Sequence, residues 1–384
     1  MTISDIAAPT RQALPEMIKD LRTLVELETP SNDKGLLDAG LAVISRWLVE
    51  RLGEPDESEH HDGGPYGDVL AITYRGTAPG TVLLLCHYDT VWPAGTLAEW
   101  PFEVVDGRAS GPGVFDMKTG IVQAVWALRL LRELRLPHPS VRLLLNGDEE
   151  IGSPASRPHI ERLSEDALAT LVFEASLDGA LKTSRKGVGL FDMTVQGIES
   201  HAGLDPSAGA SAIHALAEVV SHITGLGSPE RGTTVNVGLI SGGTGRNVVA
   251  AQASCGIDIR IAEPAETARI DAALSALTPS DPRVRLTLSG RWNRPPMVPN
   301  DASRQLFKQA HDVAAEQGWA LEETAVGGSS DGNFVSGLGR PVLDGLGALG
   351  SGAHARHEYT LLAPIPARTA LAVGLLRALA SDAS

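Results

Sequence analysis

Residues 82–90 read VLLLCHYDT, in which five apolar residues run straight into His87 and Asp89. An unbroken apolar run of this length predicts a strand that is covered on both faces of a sheet. Residues two apart on a strand point the same way, so His87 and Asp89 can share one face. An imidazole and a carboxylate at the end of a buried strand predict a metal site in which Asp89 orients His87 and raises its basicity. The alternative is a histidine that is simply hydrogen-bonded at a strand end.

Acidic residues follow two further predicted strands. Residues 141–146 lead into GDEEIGSP, which contains Glu149 and Glu150, and residues 170–173 lead into Glu174. If these strands are parallel to the first, their ends meet at one sheet edge, where sites form in open α/β sheets. The alternative for a run of acids is a solvated face of the protein.

Asp116 stands in the glycine-bounded turn GPGVFDMKTG, just before the apolar helix predicted over residues 121–134. Glycine allows the backbone to come close to whatever the aspartate contacts, which suits a site. A phosphate-binding loop is the alternative here, although neither the GxGxxG nor the Walker spacing is present.

The composition describes a globular protein with an acidic surface. The chain has 384 residues, a length that predicts about two domains. Its residues are 43% hydrophobic and 21% charged, a composition that predicts a full core. The formal net charge of −15 argues against nucleic acid as a partner. Cys86 and Cys255 imply no disulfide framework, which favours a reducing compartment. No secretory signal and no run of about 18 apolar residues is seen, so we expect a cytoplasmic protein without a membrane span.

The order of predicted elements changes after residue 184. Residues 186–294 are predicted to run strand, helix, strand, strand, helix, strand, which is the order of a ferredoxin-like unit. We therefore expect this segment to be a small α+β domain inserted into a larger α/β domain. The larger domain would be discontinuous and would comprise residues 1–185 and 295–384.

The metal-capable side chains at the predicted strand and loop ends are His87, Asp89, Asp116, Glu149, Glu150, Glu174 and His354. Imidazole nitrogens combined with carboxylate oxygens suit zinc. The set exceeds what one tetrahedral ion needs, whereas two ions sharing a bridging carboxylate would use it to bind and activate water for hydrolysis. One carboxylate beyond the ligands is then expected to act as general base and to pass the proton to the leaving nitrogen.

The sequence resembles the two-zinc peptidase and deacylase family that includes glutamate carboxypeptidase, aminoacylase, acetylornithine deacetylase and succinyl-diaminopimelate desuccinylase. The resemblance extends over nearly the whole chain and rests on the stretches LLLCHYDTVW, GPGVFDMKTG, LLLNGDEEIGS, LVFEAS, GIESHAG and GAHARHEY. It implies a zinc-peptidase-like catalytic domain with a mixed, largely parallel sheet and flanking helices. It also implies that the inserted ferredoxin-like domain is a lid and dimerisation domain.

The same resemblance implies a ligand set for two Zn2+ ions per subunit. His87 and Glu174 would hold one ion, Glu150 and His354 would hold the other, and Asp116 would bridge the two. Another divalent metal, such as Co2+ or Mn2+, is an alternative to zinc.

Two catalytic groups are implied beside the metal ligands. Glu149 would be the general base that activates the metal-bridging water. His201, in GIESHAG, would reach across a homodimer to stabilise the oxyanion of the tetrahedral intermediate.

Substrate-binding residues follow from the glutamate carboxypeptidase branch, which the sequence resembles most. The matching residues are Asn247 in GTGRNVV, Arg260 in GIDIRI and Arg294 in RWNRPP, with Arg291 as a rival for the role of Arg294. Arginine suits a carboxylate because its planar fork can donate two hydrogen bonds at once. The glycine-rich residues 328–332 are expected to line the pocket.

Several polar residues are expected to stay outside the metal site. The family pattern uses only the first histidine of GAHARHEY, so His357 is expected at the rim. His60 and His61 lie in a polar stretch and are expected in a loop. Ser303 is the candidate N-cap of the helix predicted after it.

The expected activity is metal-dependent hydrolysis of an amide next to a free carboxylate, by a carboxypeptidase that resembles glutamate carboxypeptidase. The alternative is a deacylase of N-acyl amino acids or a dipeptidase, which would use the same metals and base. A non-catalytic binding protein on this fold is the remaining possibility, since fold alone does not fix function. The expected partners are a small peptide or N-acyl amino acid and a second copy of the chain.

Overall fold

The structure is a computed structural model and describes residues 4–382. Its α-helices are α1 (Ser4–Val25), α2 (Lys34–Leu52), α3 (Thr96–Glu99), α4 (Thr119–Glu133), α5 (Arg157–Leu163), α6 (Ala212–Thr224), α7 (Ala265–Ser275), α8 (Asp301–Glu316), α9 (Gly332–Gly337) and α10 (Ile365–Asp382). Its strands are β1 (Glu57–His61), β2 (Val69–Tyr74), β3 (Thr81–His87), β4 (Glu103–Val105), β5 (Arg108–Ser110), β6 (Ser140–Asn146), β7 (Ala167–Val172), β8 (Leu181–Arg185), β9 (Gly187–Gln196), β10 (Thr234–Gly242), β11 (Gln252–Ile261), β12 (Arg285–Arg294), β13 (Glu323–Val326), β14 (Val342–Leu343), β15 (Gly350–Ser351) and β16 (Tyr359–Leu361).

The described residues fall into two compact units. The larger unit contains the chain up to Ser184, Pro299–Val326 and the chain from Ser330 onwards. The smaller unit contains Arg185–Val298 and Gly327–Ser329. The larger unit is thus discontinuous in sequence, and the catalytic and lid roles of the two units remain predictions.

The larger unit is built on a mixed six-stranded sheet with the order β1-β2-β6-β3-β7-β14. Strand β3 is parallel to both of its neighbours, β6 and β7, and β14 is parallel to β7. At one side of the sheet, strand β2 is antiparallel to both of its neighbours, β1 and β6. The mixed, largely parallel sheet that the resemblance implied is therefore confirmed.

The register of the central strands brings their carboxyl ends together. His87 lies opposite Asn146 of β6, and Leu85 lies opposite Val172 of β7. The residues after β6 and β7, which include Glu149 and Glu174, therefore begin beside His87 at one edge of the sheet. The expectation that these strands are parallel is confirmed by this pairing.

Helices flank this sheet and bury its apolar side chains. Leu24 of α1, Val125 of α4 and Leu376 of α10 belong to the same buried cluster as Leu84 of β3. Burial of this much apolar surface is the main force that fixes the strand ends in place. Among the described helices, none combines the length and the apolar composition that crossing a bilayer requires.

The smaller unit is an antiparallel sheet with the order β10-β11-β9-β12, together with α6 and α7. This strand order and the βαββαβ sequence of elements are those of a ferredoxin-like fold. Its core has Val195 of β9, Val219 of α6, Ile259 of β11 and Ile270 of α7, all fully buried. The expectation of a ferredoxin-like fold is therefore confirmed, and β10 is an edge strand.

Two local expectations are wrong. His60 and His61 belong to strand β1 and not to a loop, because they pair with Leu70 and Val69 in an antiparallel edge. Helix α8 begins at Asp301, and its N-cap is Asn300 rather than Ser303. The Asn300 side chain accepts a hydrogen bond of 2.8 Å from the backbone N–H of Ser303.

Candidate metal centre

His87 ends strand β3 and is 2% exposed. Its Nδ1 lies 3.1 Å from the backbone carbonyl oxygen of Asp89, so Nδ1 carries the proton and donates it there. The Asp89 carboxylate is slightly farther away, with Oδ1 at 3.4 Å from Nδ1. This tautomer leaves a lone pair on Nε2, which points toward the centre of the site.

The lone pair on Nε2 of His87 faces two carboxylates. Oδ1 of Asp116 and Oε1 of Glu174 each lie 3.3 Å from this nitrogen. Nε2 is buried and has no hydrogen-bond partner among the described residues. A lone pair and two anionic oxygens repel one another unless a cation lies between them, so these residues fit a metal ion.

Asp116 presents its second oxygen to a second histidine. Oδ2 of Asp116 lies 3.4 Å from Nε2 of His354, and Oε2 of Glu150 lies 3.0 Å from the same nitrogen. His354 has a left-handed backbone with φ of +61°, a conformation that is unusual for a residue other than glycine. One carboxylate thus stands between two groups, each made of a histidine and a further glutamate.

Glu149 completes this cluster. It begins a short 3-10 turn, Glu149–Ile151, which follows strand β6 after Gly147 and Asp148, and it is 9% exposed. One oxygen of Glu149, one oxygen of Glu174 and a ring nitrogen of His87 all lie within 4.8 Å of one another. Glu149 is therefore close to the His87 side of the centre, at a distance where it can exchange a proton with a molecule bound there.

The acids and histidines shift one another's pKa values. Burial alone would raise the pKa of Asp116, but the contacts with His354 and His87 outweigh it and hold that pKa well below its usual range. Contact with Asp116 and then with Glu150 raises the pKa of His354 to about 10. Burial, with the nearby Asp116 charge, raises the pKa of Glu150 to about 7. The negative charge that raises the pKa values of His354 and Glu150 also favours divalent cations, which compete with protons for the same atoms.

Asp89 contacts other residues besides His87. Its fully buried carboxylate accepts hydrogen bonds from the backbone N–H groups of Glu149 and Glu150, each at 3.2 Å. The hydroxyl of Ser31 donates a third hydrogen bond to it, at 2.8 Å. Asp89 therefore joins the end of β3 to the turn after β6.

Two buried acids that the sequence did not single out support the centre. Glu358 accepts hydrogen bonds from the turn that carries Asp116, and the bond from the backbone N–H of Asp116 to Oε1 of Glu358 is 3.0 Å long. Asp331 accepts a hydrogen bond of 2.8 Å from the side chain of Asn146, and the hydroxyl of Ser153 also donates to it. The only sequence signal for Glu358 was its place in GAHARHEY, four residues after His354.

The predicted residues of the smaller unit form two groups. His201 and Asn247 lie on neighbouring segments, because Val248 forms a bridge with His201 and the N–H of Ala202 donates to the Asn247 carbonyl oxygen at 2.9 Å. Nδ1 of His201 accepts from two backbone N–H groups at 3.1 and 3.0 Å, so the proton of the neutral ring is on Nε2. His201 and Asn247 are both exposed.

The arginines predicted to bind substrate lie on either side of one strand. Arg260 of β11 and Arg294 of β12 are both in register with Val188 of β9. Arg260 donates two hydrogen bonds of 2.9 Å to the Asp258 carboxylate. Arg294 is 5% exposed, whereas its rival Arg291 is exposed.

His357 is exposed, next to buried Glu358, and its place at a rim remains a prediction. The same holds for the role of residues 328–332. In the larger unit the structure thus brings together His87, Asp89, Asp116, Glu149, Glu150, Glu174 and His354.

A carboxypeptidase, a desuccinylase and an aminopeptidase are similar to this chain in sequence or in fold. Carboxypeptidase G2 of Pseudomonas sp. (strain RS-16) is 29% identical over 375 residues, which cover 94% of this chain and 89% of that protein. Succinyl-diaminopimelate desuccinylase of Dechloromonas aromatica (strain RCB) is 27% identical over 323 residues, covering 77% of this chain and 83% of that protein. The crystal structure of aminopeptidase PepT from Bacillus cereus ATCC 10987 has the same fold, with a TM-score of 0.79, 21% identity and coverage of 96% and 99% of the two chains.

The sequence profile of one family spans most of the chain. The profile of peptidase family M20/M25/M40 matches residues 83–378, from strand β3 to helix α10. The matched region contains all the residues of the cluster around Asp116, and membership implies a metal-dependent hydrolase. This chain therefore belongs to peptidase family M20/M25/M40.

Proposed function

We propose that this protein is a two-zinc carboxypeptidase that cleaves an amide bond next to a free carboxylate. The observation that carries the proposal is the position of Asp116, whose two oxygens lie 3.3 Å from Nε2 of His87 and 3.4 Å from Nε2 of His354. A carboxylate between two histidines, each with a further glutamate, suits a pair of ions that share it. The likeness to carboxypeptidase G2 over 94% of the chain supports the choice of a carboxypeptidase.

His87 and Glu174 would hold one ion, Glu150 and His354 the other, and Asp116 would bridge them. Bound zinc would supply an activated water and polarise the carbonyl that is attacked. Glu149 would take a proton from the attacking water and deliver it to the leaving nitrogen, a role that its place beside His87 and Glu174 supports. Asp89 keeps the Nδ1 proton of His87 in place, so that Nε2 stays available as a ligand.

His201 donates a hydrogen bond to the oxyanion in this proposal. The two backbone N–H groups at its Nδ1 place the ring proton on Nε2, which makes the neutral ring a donor on its outer side. We propose that the donor comes from a second copy of the chain. Edge strand β10 supports such a homodimer, because Leu239 and Ile240 are 74% and 66% exposed there.

Asn247, Arg260 and Arg294 bind the substrate carboxylates in this proposal. Arg260 and Arg294 flank Val188, so their guanidinium groups can approach one ligand from the two strands on either side of β9. Arg260 is already paired with Asp258, which a substrate carboxylate would have to displace or share. Buried Arg294 is a better choice than exposed Arg291 because its charge is less screened by water. We also propose a cytoplasmic location.

A deacylase or dipeptidase activity is the second candidate. The likeness to succinyl-diaminopimelate desuccinylase over 77% of the chain favours it, since the same metals and base serve both reactions. A non-catalytic binding protein is a weaker candidate, because all the proposed ligands and Glu149 are present in the sequence.

A substrate panel with purified, zinc-loaded protein tests the proposal. It should contain N-acyl glutamates, dipeptides and N-acetyl amino acids, and we expect the N-acyl glutamates to have the highest kcat/KM. Preference for N-acetyl amino acids or dipeptides would support the second candidate instead. We expect Glu149→Gln to lower kcat by about 10²- to 10⁴-fold with zinc content retained, because only the proton transfer is lost. Unchanged turnover in that variant would refute the role of Glu149.

A further inference from the structure

The carboxylate of Glu358 occupies the inside of the turn that carries Asp116. Oε1 accepts from the backbone N–H of Phe115 at 2.8 Å and of Asp116 at 3.0 Å. Oε2 accepts from the backbone N–H of Gly113 at 3.1 Å and from the indole N–H of Trp92 at 3.0 Å. Glu358 is fully buried, so all four donors meet a carboxylate that water does not reach.

These contacts use the full capacity of the group. A carboxylate offers about four lone-pair positions, and four N–H donors occupy them. The four contacts leave no lone pair of Glu358 for a metal ion. The remaining function of Glu358 is to hold the atoms that donate to it.

The turn itself is a concave cluster of backbone N–H groups. Gly113 has φ of +71°, and the N–H groups of Gly113, Phe115 and Asp116 all donate to the one carboxylate of Glu358. Such a cluster is a common binding site for phosphate. Here an internal carboxylate fills it, so the phosphate-loop alternative that the sequence left open is not needed to explain the glycines.

Glu358 also connects Asp116 with His354. Glu358 and His354 lie on one short segment, in which the N–H of Glu358 donates to the Ala355 carbonyl oxygen at 2.9 Å. His354 contacts Oδ2 of Asp116, while Glu358 holds the backbone of Asp116. One segment thus fixes both the bridging carboxylate and the histidine on its far side.

We infer that Glu358 is a positioning residue that sets the place of the Asp116 carboxylate for both metal ions. This inference rests on the proposed two-metal function. Glutamine in place of Glu358 keeps the shape but offers one acceptor oxygen and puts an NH2 group against N–H donors, so half of the contacts become repulsive. The bridging oxygens would then lose their fixed distance to His87 and His354 together.

Binding of Co2+ to the metal-free protein tests the inference, followed by calorimetry and by the visible absorption of the bound ion. We expect Glu358→Gln to weaken the binding of both ions by about 10- to 100-fold, as loss of a group that orients a ligand does. We also expect a changed Co2+ spectrum and a lower kcat with little change in KM.

Glu266→Gln is the matched control. Glu266 is 3% exposed, belongs to the smaller unit and accepts from Thr233 and two arginines, with no contact to Asp116. This variant should lose stability and keep the wild-type Co2+ affinity and spectrum. If it weakens Co2+ binding as much as Glu358→Gln does, general destabilisation explains both and the inference is overturned.

The outcomes separate the inference from the proposed function. A wild-type protein that does not bind a pair of Co2+ ions would refute the two-metal function itself. A wild-type protein that binds two ions, with a Glu358→Gln variant of unchanged affinity and spectrum, would refute only the role of Glu358. If Glu358→Gln does not fold, Glu358→Asp decides, because the shorter side chain cannot reach all four donors. Unchanged Co2+ binding in that variant would overturn the inference.

Discussion

The backbone N–H of Glu149 donates a hydrogen bond of 3.2 Å to Oδ1 of Asp89. Oδ2 of the same carboxylate accepts from the N–H of Glu150 at 3.2 Å. Asp89 also lies two residues after His87. One buried carboxylate therefore holds the histidine that ends β3 and the two glutamates that follow β6, the neighbouring strand in the sheet.

Asp89→Asn should damage the centre from both sides. The new NH2 group would face the N–H of Glu149 or Glu150, and the Nδ1 proton of His87 would lose a nearby negative charge. We expect kcat and zinc affinity to fall by about 10- to 100-fold, measured by steady-state kinetics and zinc titration. Ser31→Ala removes only one of the hydrogen bonds to Asp89 and should have a clearly smaller effect. Equal effects of the two variants would contradict this role for Asp89.

Loss of different ligands should change the number of bound ions differently. Asp116 faces both histidines, so Asp116→Asn should leave neither ion bound after dialysis. Glu174 contacts only the His87 side, so Glu174→Gln should retain the ion beside His354. Metal content per chain, measured by elemental analysis, checks this, with exposed Glu165→Gln as control. One ion retained in Asp116→Asn would argue against a bridging role.

A homodimer in which His201 acts across subunits predicts complementation. Glu149→Ala and His201→Asn should each be nearly inactive alone. After subunit exchange, about one quarter of the sites would combine an intact Glu149 with an intact His201, because each mixed dimer of a twofold pair contains one such site. We expect activity to return in the mixture, measured against the unmixed variants. Absence of recovery, with exchange verified by mass, would mean that His201 acts within its own chain.

The smaller unit should lose stability in acid through Glu266. Contact with Arg269 and then with Thr233 lowers the pKa of Glu266 to about 2. Its unfolded pKa is about 4.3, so the ionised carboxylate stabilises the fold above that pH, and this contribution disappears as the pH falls toward 2. In the metal-free protein, Tm of wild type should exceed that of Glu266→Gln at neutral pH. The difference should shrink below about pH 4.3; a difference that grows in acid would contradict the pKa.

The central strand and its neighbours could be predicted from the sequence because their signal is local. The apolar run before His87 favours a strand that is covered on both faces of a sheet, and the structure contains this strand as β3. Strand β1 was missed because its polar residues lie at a sheet edge, where only backbone pairing with β2 defines it.

The parts that could not be predicted depend on contacts between distant residues. Both Asn300 and Ser303 are good N-cap residues, so residue type alone does not distinguish them, and the structure has Asn300 as the cap. Glu358 reads as an ordinary acid because its donors lie 242 to 266 positions away in sequence. Its role appears only once the fold closes the turn of Asp116 around it.

The two histidines at Asp116 differ in their access to solvent, since the side chain of His87 is 2% exposed and that of His354 is 55% exposed. Solvent reaches the ring of His354, whereas protein shields the ring of His87, so His354 can release a bound cation more easily than His87 can. Depletion of zinc would then proceed stepwise, and a singly loaded intermediate that keeps the ion at His87 would accumulate before the fully empty protein.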